Sequence, residues 1–296
     1  MLSGEYIEIN ELKIHYVKSG TDGKTILFLH GFPEFWYMWH KQLEEFGRDH
    51  TAIAMDMRGF NLSDKPPNVD DYKTSHLVSD IKAMLERFSP GRKAILVAHD
   101  WGGAVAWAFA LTHPELLEKL IIINSPHPAV FLRELKNNPE QQKASAYMLM
   151  FRKPEAEALL SANNYAGLAK AVFDSSTRPE AYTDDDRRAY LAAWAQPGAL
   201  TGGLNYYRAS KIGPPSPVDP QLGAVTFADA SSFVVKVPTL VVWGEMDRAL
   251  LTGCLDGLEQ FVPDLTLKRV PDGSHWVVHE KPELVNNYIR QFIEGN

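Results

Sequence analysis

Four short stretches of this chain are apolar with almost no polar interruption: "TILFLH" from residue 25, "TAIAMD" from 51, "AILVAH" from 94 and "KLIIIN" from 119. Successive side chains of a strand point to opposite faces. A strand apolar at every position is therefore buried on both faces, as in a parallel sheet covered by helices on each side. Each run is too short for a buried helix, and helical patterns separate them. Two later runs, "TLVVWG" (239–244) and "LTLKRV" (265–270), repeat the strand signal. The first segments, "YIEI" and "LKIHYV", alternate instead, and they flank Asn10-Glu11 as an antiparallel hairpin would.

Helical signals fill the intervals. Thr74 or Ser75 is placed to cap a helix through Ile81, Leu85 and Phe88 that stops at Pro90-Gly91. Residues 103–112 form another, ending near His113-Pro114, and a last one runs from Pro282 through Phe292. Between 128 and 232 no strand-like run occurs. Asn138-Pro139 is expected to start a helix that carries Tyr147. Thr183 precedes Asp184, Asp185 and Asp186, acids placed where the helix dipole favours them, and that helix stops at Pro197-Gly198. "LNYYRAS" continues the helical pattern, and "GPPSPVDP" (213–220) is a proline-rich loop.

The expected architecture is α/β: a mostly parallel central sheet with helices on both faces and an inserted all-helical cap. The core comprises 1–127 and 233–296, the cap 128–232. The insertion leaves from the C-terminal end of a strand, the edge at which open α/β sheets bind ligands. A helical lid over that edge is the economical arrangement.

The formal net charge is −7, which speaks against a nucleic-acid surface or a basic membrane-binding face. The single cysteine, Cys254, excludes an internal disulfide and points to a reducing, cytoplasmic setting. The first residues carry no basic leader before an apolar run, and no run has transmembrane length, so neither a secretory signal nor membrane insertion is expected.

The chemistry concentrates at strand ends. In "AHDWGG", Asp100 ends an apolar strand, with Ala98 two residues before it and Gly102-Gly103 following. Alone, Asp100 fits either a helix N-cap or a nucleophile on a strand–turn–helix elbow, which needs small neighbours. The usual elbow has glycine at the place of Ala98. Asp247 in "WGEMDRAL" and His275 in "PDGSHWVVHE" follow later strands. The order nucleophile, acid, histidine is that of elbow enzymes. "LHGFPEFWYMW" adds a loop in which the Phe32 N–H, together with that of Trp101, is a candidate oxyanion donor. Trp39 and Trp107 are expected to be packing residues.

Together these segments resemble the α/β-hydrolase superfamily, and within it the soluble epoxide hydrolases. "HGFPEFWYMW", "DMRGFNLSDKP", "HDWGG", "LNYYR", "WGEMD" and "DGSHWVVHEKPE" are similar to family segments and stand in family order across nearly the whole chain. The resemblance implies an α/β-hydrolase fold and two lid tyrosines aimed at the nucleophile, here Tyr147 in "SAYMLMF" and Tyr207 in "LNYYR". Neighbouring helical residues point about 100° apart, so only one of Tyr206 and Tyr207 faces the site; Tyr207 is the match. The implied reaction converts a small apolar epoxide and water to a vicinal diol. Asp100 attacks, Tyr147 and Tyr207 protonate the leaving oxygen, and His275, oriented by Asp247, activates water.

A haloalkane dehalogenase would use the same Asp-His-Asp set, but a halide needs N–H donors and no acid. Phe32 offers no side-chain donor, and fluoroacetate dehalogenases carry arginine where this chain has Trp101. A non-catalytic ligand-binding protein on the same fold is the third alternative; it predicts a broken triad. No nucleotide loop appears and no cofactor is implied. His275 and His279 lack a third ligand, so no metal is expected and His279 is assigned a structural role. His30 reads as a backbone-positioning residue, and His99 has no evident role. Cys254 is expected in a helix, packed on the core. Met148, Met150, Phe173 and Trp194 suggest an apolar lid surface. A homodimer is compatible with the sequence, which does not select an oligomeric state.

Overall fold

A computed structural model describes residues 2–223 and 230–295. The end of the expected insertion, 224–229, lies outside the described residues. The chain opens with the hairpin β1 (Gly4–Ile9) and β2 (Leu12–Ser19). Its two turn residues, Asn10 and Glu11, both have positive φ, 49° and 63°, the twist that a tight hairpin turn requires. Then follow β3 (Thr25–Leu29), α1 (His40–Phe46), β4 (Thr51–Met55), α2 (Thr74–Phe88), β5 (Ala94–His99), α3 (Asp100–Thr112) and β6 (Leu117–Ile123). Six helices come next: α4 (Pro128–Asn137), α5 (Pro139–Ala144), α6 (Tyr147–Phe151), α7 (Ala156–Ala169), α8 (Asp184–Trp194) and α9 (Ala199–Ala209). The chain then returns through β7 (Thr239–Gly244), β8 (Leu265–Val270), α10 (Val277–Glu280) and α11 (Pro282–Glu294).

Among the described residues the strands form one sheet, in the order β1-β2-β4-β3-β5-β6-β7-β8. β2 runs antiparallel to both its neighbours, and the pairings from β4 to β8 are parallel. The continuous apolar runs have the predicted cause. In β3, Ile26 and Phe28 enter one core with Trp39, Leu43 and Val285, while Leu27 and Leu29 enter the other with Ile81 and Val105. Helices α1 and α11 cover the first face; α2 and α3 cover the second.

Several local expectations change. Thr74 and Ser75 lie inside α2, and neither caps it; Lys73 holds the cap position with an extended backbone. Helix α3 starts at Asp100 rather than near 103. Asn138 does cap a helix, accepting from the N–H groups of Glu140 and Gln141, but that helix stops at Ala144. Ser145 leaves helical geometry (φ −87°, ψ 2°), held by the Gln141 carboxamide, which donates to Ser145 Oγ and to the Ala249 carbonyl. Tyr147 therefore begins its own short helix. Cys254 is buried in a helix as expected, here a short 3₁₀ helix, Thr252–Leu255. Thr183 and Asp186 form a reciprocal capping box at the start of α8, as the acid run suggests. Among the described residues, no helix is long and apolar enough to cross a membrane.

Candidate active site

Asp100 sits where β5 meets α3, with φ +49°. That left-handed conformation is costly for a residue with a Cβ, so the surroundings must impose it. They do so by close approach. A Cβ on Gly102 would lie 2.5 Å from the carbonyl oxygens of Leu29 and His30, and one on Gly31 would lie 2.2 Å from Asp100 Oδ1. The Ser125 hydroxyl donates to the Asp100 carbonyl at 2.7 Å. Ala98 at −2 is fully buried and is accommodated.

The Phe32 N–H donates to Asp100 Oδ1 at 2.8 Å. His30 holds that loop. Its Nε2 accepts from the Met57 N–H at 3.0 Å, so its Nδ1 carries the proton and donates to the Gly31 carbonyl at 2.8 Å. Burial lowers the His30 pKa, consistent with a neutral ring. Trp101 is the second residue of α3, and its N–H belongs to the unpaired first turn of the helix.

His275 Nδ1–H donates to Asp247 Oδ2 at 2.7 Å. Its Nε2 lies 3.7 Å from Asp100 Oδ2, longer than a hydrogen bond. Asp247 is itself held by the N–H groups of Ala249 (2.8 Å) and Leu250 (2.9 Å) and by Asn124 Nδ2 (2.9 Å). Burial raises the Asp247 carboxyl, but His275 and these donors bring it below the ordinary range. Burial pulls His275 down; the Asp247, Asp100 and Glu34 carboxylates outweigh it and lift the pKa to about 9.

Tyr147 and Tyr207 come from α6 and α9 to the same place, their ring centroids 6.2 Å apart. Burial, and then the charges around them, including Asp100, push both phenols above the ordinary value of 10. The Tyr206 hydroxyl instead donates to the Arg58 carbonyl at 3.0 Å. Two mainly apolar lobes, about 250 and 520 Å³, meet at Asp100, Tyr147 and Tyr207. Met148 lines the smaller, with Val105 and Phe131; Met150 lines the larger, with Leu160, Leu168 and Trp276. Phe173 and Trp194 line neither lobe; they pack together with Tyr190. Trp39 and Trp107 are fully buried packing residues.

Sequence reasoning missed a polar network behind His275. Glu34 is buried. Its Oε1 accepts from the Tyr190 hydroxyl and from His279 Nε2, both at 2.8 Å. Its Oε2 lies 3.1 Å from His99 Nδ1, and His99 Nε2–H donates to the His275 carbonyl at 2.9 Å. His279 is thus structural, as expected, and His99 gains a role. Burial opposes ionisation of Glu34, but the two histidines hold its carboxyl far below the usual range. Among the described residues, no cluster of His, Cys, Asp and Glu has metal-binding geometry.

The model of the α/β hydrolase fold matches residues 24–282. The chain belongs to the α/β-hydrolase family. Among its relatives in that family is the Bacillus subtilis (strain 168) AB hydrolase superfamily protein YfhM, 40% identical over 98% of both chains. Caenorhabditis elegans Epoxide hydrolase 2 is 35% identical over 98% of this chain and 79% of that one. A crystal structure of Bacillus megaterium epoxide hydrolase with an inhibitor superposes with a TM-score of 0.89 at 38% identity, covering 98% of this chain and all of the other. The resemblance to epoxide hydrolases drawn from the six motifs therefore extends to whole-chain relatives and to the fold.

Proposed function

We propose that this protein hydrolyses an epoxide to a vicinal diol through a covalent ester on Asp100. The observation that carries the proposal is the convergence of a strained carboxylate, a histidine–carboxylate pair and two high-pKa phenols in one apolar cavity. Relatives that carry the name epoxide hydrolase support it. The helices α4 to α9 act as the cap that brings the two phenols over the nucleophile.

The Phe32 N–H occupies Oδ1, which leaves Oδ2 to attack a carbon of the three-membered ring. That C–O bond breaks, and the oxygen takes a proton from Tyr147 or Tyr207. Both phenols keep their protons at neutral pH, so they can serve as acids. The product of this step is an alkyl ester of Asp100. His275 then removes a proton from water, which attacks the ester carbonyl. The developing charge on Oδ1 is met by the N–H groups of Phe32 and Trp101. Asp247 orients His275 and stabilises its charged form. The ester bond breaks, the alkoxide takes the proton held by His275 and leaves as the diol, and the second proton of the water, left on the Asp100 carboxyl, returns to the tyrosinate through solvent. A halide leaving group would not need the two phenols, which favours the epoxide over the haloalkane.

A single turnover in oxygen-18 water tests the route. The first diol formed carries unlabelled oxygen from Asp100, and label enters Asp100 instead. Full labelling of the first diol would refute the ester.

A further inference from the structure

The loop that carries His275 is fastened to the helical insertion through one carboxylate that the mechanism above does not use. Glu280, on α10, is 1% exposed. Its Oε1 accepts from the Ser176 hydroxyl at 2.8 Å, from the Thr177 N–H at 2.7 Å and from the Ser274 hydroxyl. Its Oε2 accepts from the Ser274 N–H at 2.7 Å. Ser176 and Thr177 belong to the insertion, between α7 and α8; Ser274 is the residue immediately before His275.

The residue after His275 is tied to the same segment. Trp276 Nε1–H donates to Ser175 Oγ at 2.7 Å, and the Trp276 N–H donates to Ser274 Oγ at 3.1 Å. Two further bonds close the seam: Thr177 Oγ1 to the Asp272 carbonyl and an Arg178 guanidinium nitrogen to the Glu280 carbonyl, each at 3.1 Å. The donors to the Glu280 side chain are two hydroxyls and two backbone N–H groups. A carboxylate buried on neutral donors alone pays a desolvation penalty, yet every one of its bonds lands either on the flank of His275 or on the insertion. Ser175, Ser274, His275 and Trp276 also form one wall of the larger lobe.

We infer that Glu280 is a positioning residue that sets the place of His275 by locking the histidine loop to the 175–177 segment of the cap. The inference rests on the ester mechanism proposed above. His275 Nε2 stands 3.7 Å from Asp100 Oδ2, with its ring held by Asp247 and its carbonyl held by His99. Those two contacts fix the ring's orientation and the chain on one side. Glu280 fixes the chain on the side of Ser274 and makes that placement depend on a seated cap. Without it, two donors of Ser274 and two of the 175–177 segment lose their acceptor, and the His275 loop is free to shift against that segment, while the helices that carry Tyr147 and Tyr207 keep their own anchors, Gln141 on the Ala249 carbonyl and Tyr206 on the Arg58 carbonyl. Asp100 stays on its own elbow. Loss of Glu280 therefore slows the step that uses His275, ester hydrolysis, and spares the step that does not, ester formation.

The test follows the enzyme ester by rapid quenching and mass spectrometry, with styrene oxide and phenyl glycidyl ether as probes. In Glu280→Gln, ester decay should slow on the order of 10²-fold, the cost of a roughly 1 Å misplacement, while ester formation changes by less than about threefold. Raising the pH should not restore decay, because the defect is one of place and not of protonation. Ser176→Ala removes one bond from the cap side and should slow decay in the same selective way, by a smaller factor. A folded Glu280→Gln protein whose ester decays at the parent rate overturns the inference, as does equal slowing of formation and decay. If Glu280→Gln does not fold, Ser176→Ala decides: parent-rate decay there overturns the inference. If the parent protein itself forms no ester with either probe, the ester mechanism falls and takes the inference with it, a result distinct from the others because it appears before any substitution.

Discussion

A histidine with a pKa of about 9 is protonated at neutral pH, yet the second half of the proposed reaction needs it as a base. The geometry resolves this. Asp100 Oδ2 lies 3.7 Å from His275 Nε2, and esterification removes the Asp100 charge. At an effective dielectric of about 20, two unit charges 3.7 Å apart interact by about 4.5 kcal/mol, or about 3 pKa units. Forming the ester removes that attraction, so the His275 pKa should fall from about 9 toward neutral at the moment a base is required. Asp100→Asn imitates the uncharged ester in a stable protein. Titration of ¹³C-labelled histidine by NMR, with the His275 signal assigned by its loss in His275→Gln, should show that fall. In single-turnover experiments on the parent protein, ester decay should accelerate with rising pH and level off above an inflection near the Asp100→Asn value. A midpoint in Asp100→Asn within about half a unit of the parent value would refute the argument. It would mean that Asp247 and Glu34 alone hold the proton.

Other substitutions probe other parts of the site. Tyr147→Phe and Tyr207→Phe should each slow ester formation, and together by about 10²–10⁴-fold, the range of general-acid catalysis; formation within twofold of the parent in the double variant would remove the acid assignment. Gly31→Ala places a Cβ 2.2 Å from Asp100 Oδ1, so diol production should fall by about 10²-fold or more, measured with the same probes at saturating concentration. Glu34→Gln removes a buried carboxylate that accepts from Tyr190 and His279 and should cost about 1–3 kcal/mol of stability, read from chemical denaturation; a midpoint unchanged from the parent would show that these bonds contribute nothing to the fold. Thr183→Ala removes a capping-box hydroxyl from α8 and should cost about 1 kcal/mol by the same measurement.

The interior of the sheet was legible because burial on both faces leaves no polar gaps in a strand, and the runs of β3 to β7 are set off by turns and helices; β8, at the edge of the sheet and partly exposed, was read from its weaker apolar pattern. The proposed nucleophile, acid and histidine were legible because each follows such a run, Asp100 directly after β5 and Asp247 and His275 within a few residues of β7 and β8. The 100° step of a helix limited the choice to one of Tyr206 and Tyr207, and the resemblance of "LNYYR" to the family motif picked Tyr207. Glu34 was harder. It stands in the quoted "HGFPEFWYMW", but its partners come from residues 99, 190 and 279, and no local pattern links positions so far apart. The only local clue was a lone acid inside an aromatic run with no cation near it in sequence. The break between α5 and α6 was illegible for a related reason. Gln141 reaches across to the carbonyl of Ala249, a tertiary contact that interrupts a segment whose own residues favour a continuous helix.

The neighbouring tyrosines of α9 have a consequence for how this protein can change. Tyr206 is a buried anchor that bonds to the Arg58 carbonyl, and Tyr207 is the residue next to it. The anchor sets the rotational phase of the helix, and the phase decides which hydroxyl looks at Asp100. A single residue inserted or removed between Gly203 and Tyr206 would turn the two tyrosines together by about 100° relative to Gly202 and Gly203, which lie close against Gly59 and Phe32, so neither the anchor nor the proposed acid would meet its partner. Variation in the length of this segment is thus confined to the turns before Ala199 and after Ala209, where slack can be absorbed without rotating the phenol away from its target.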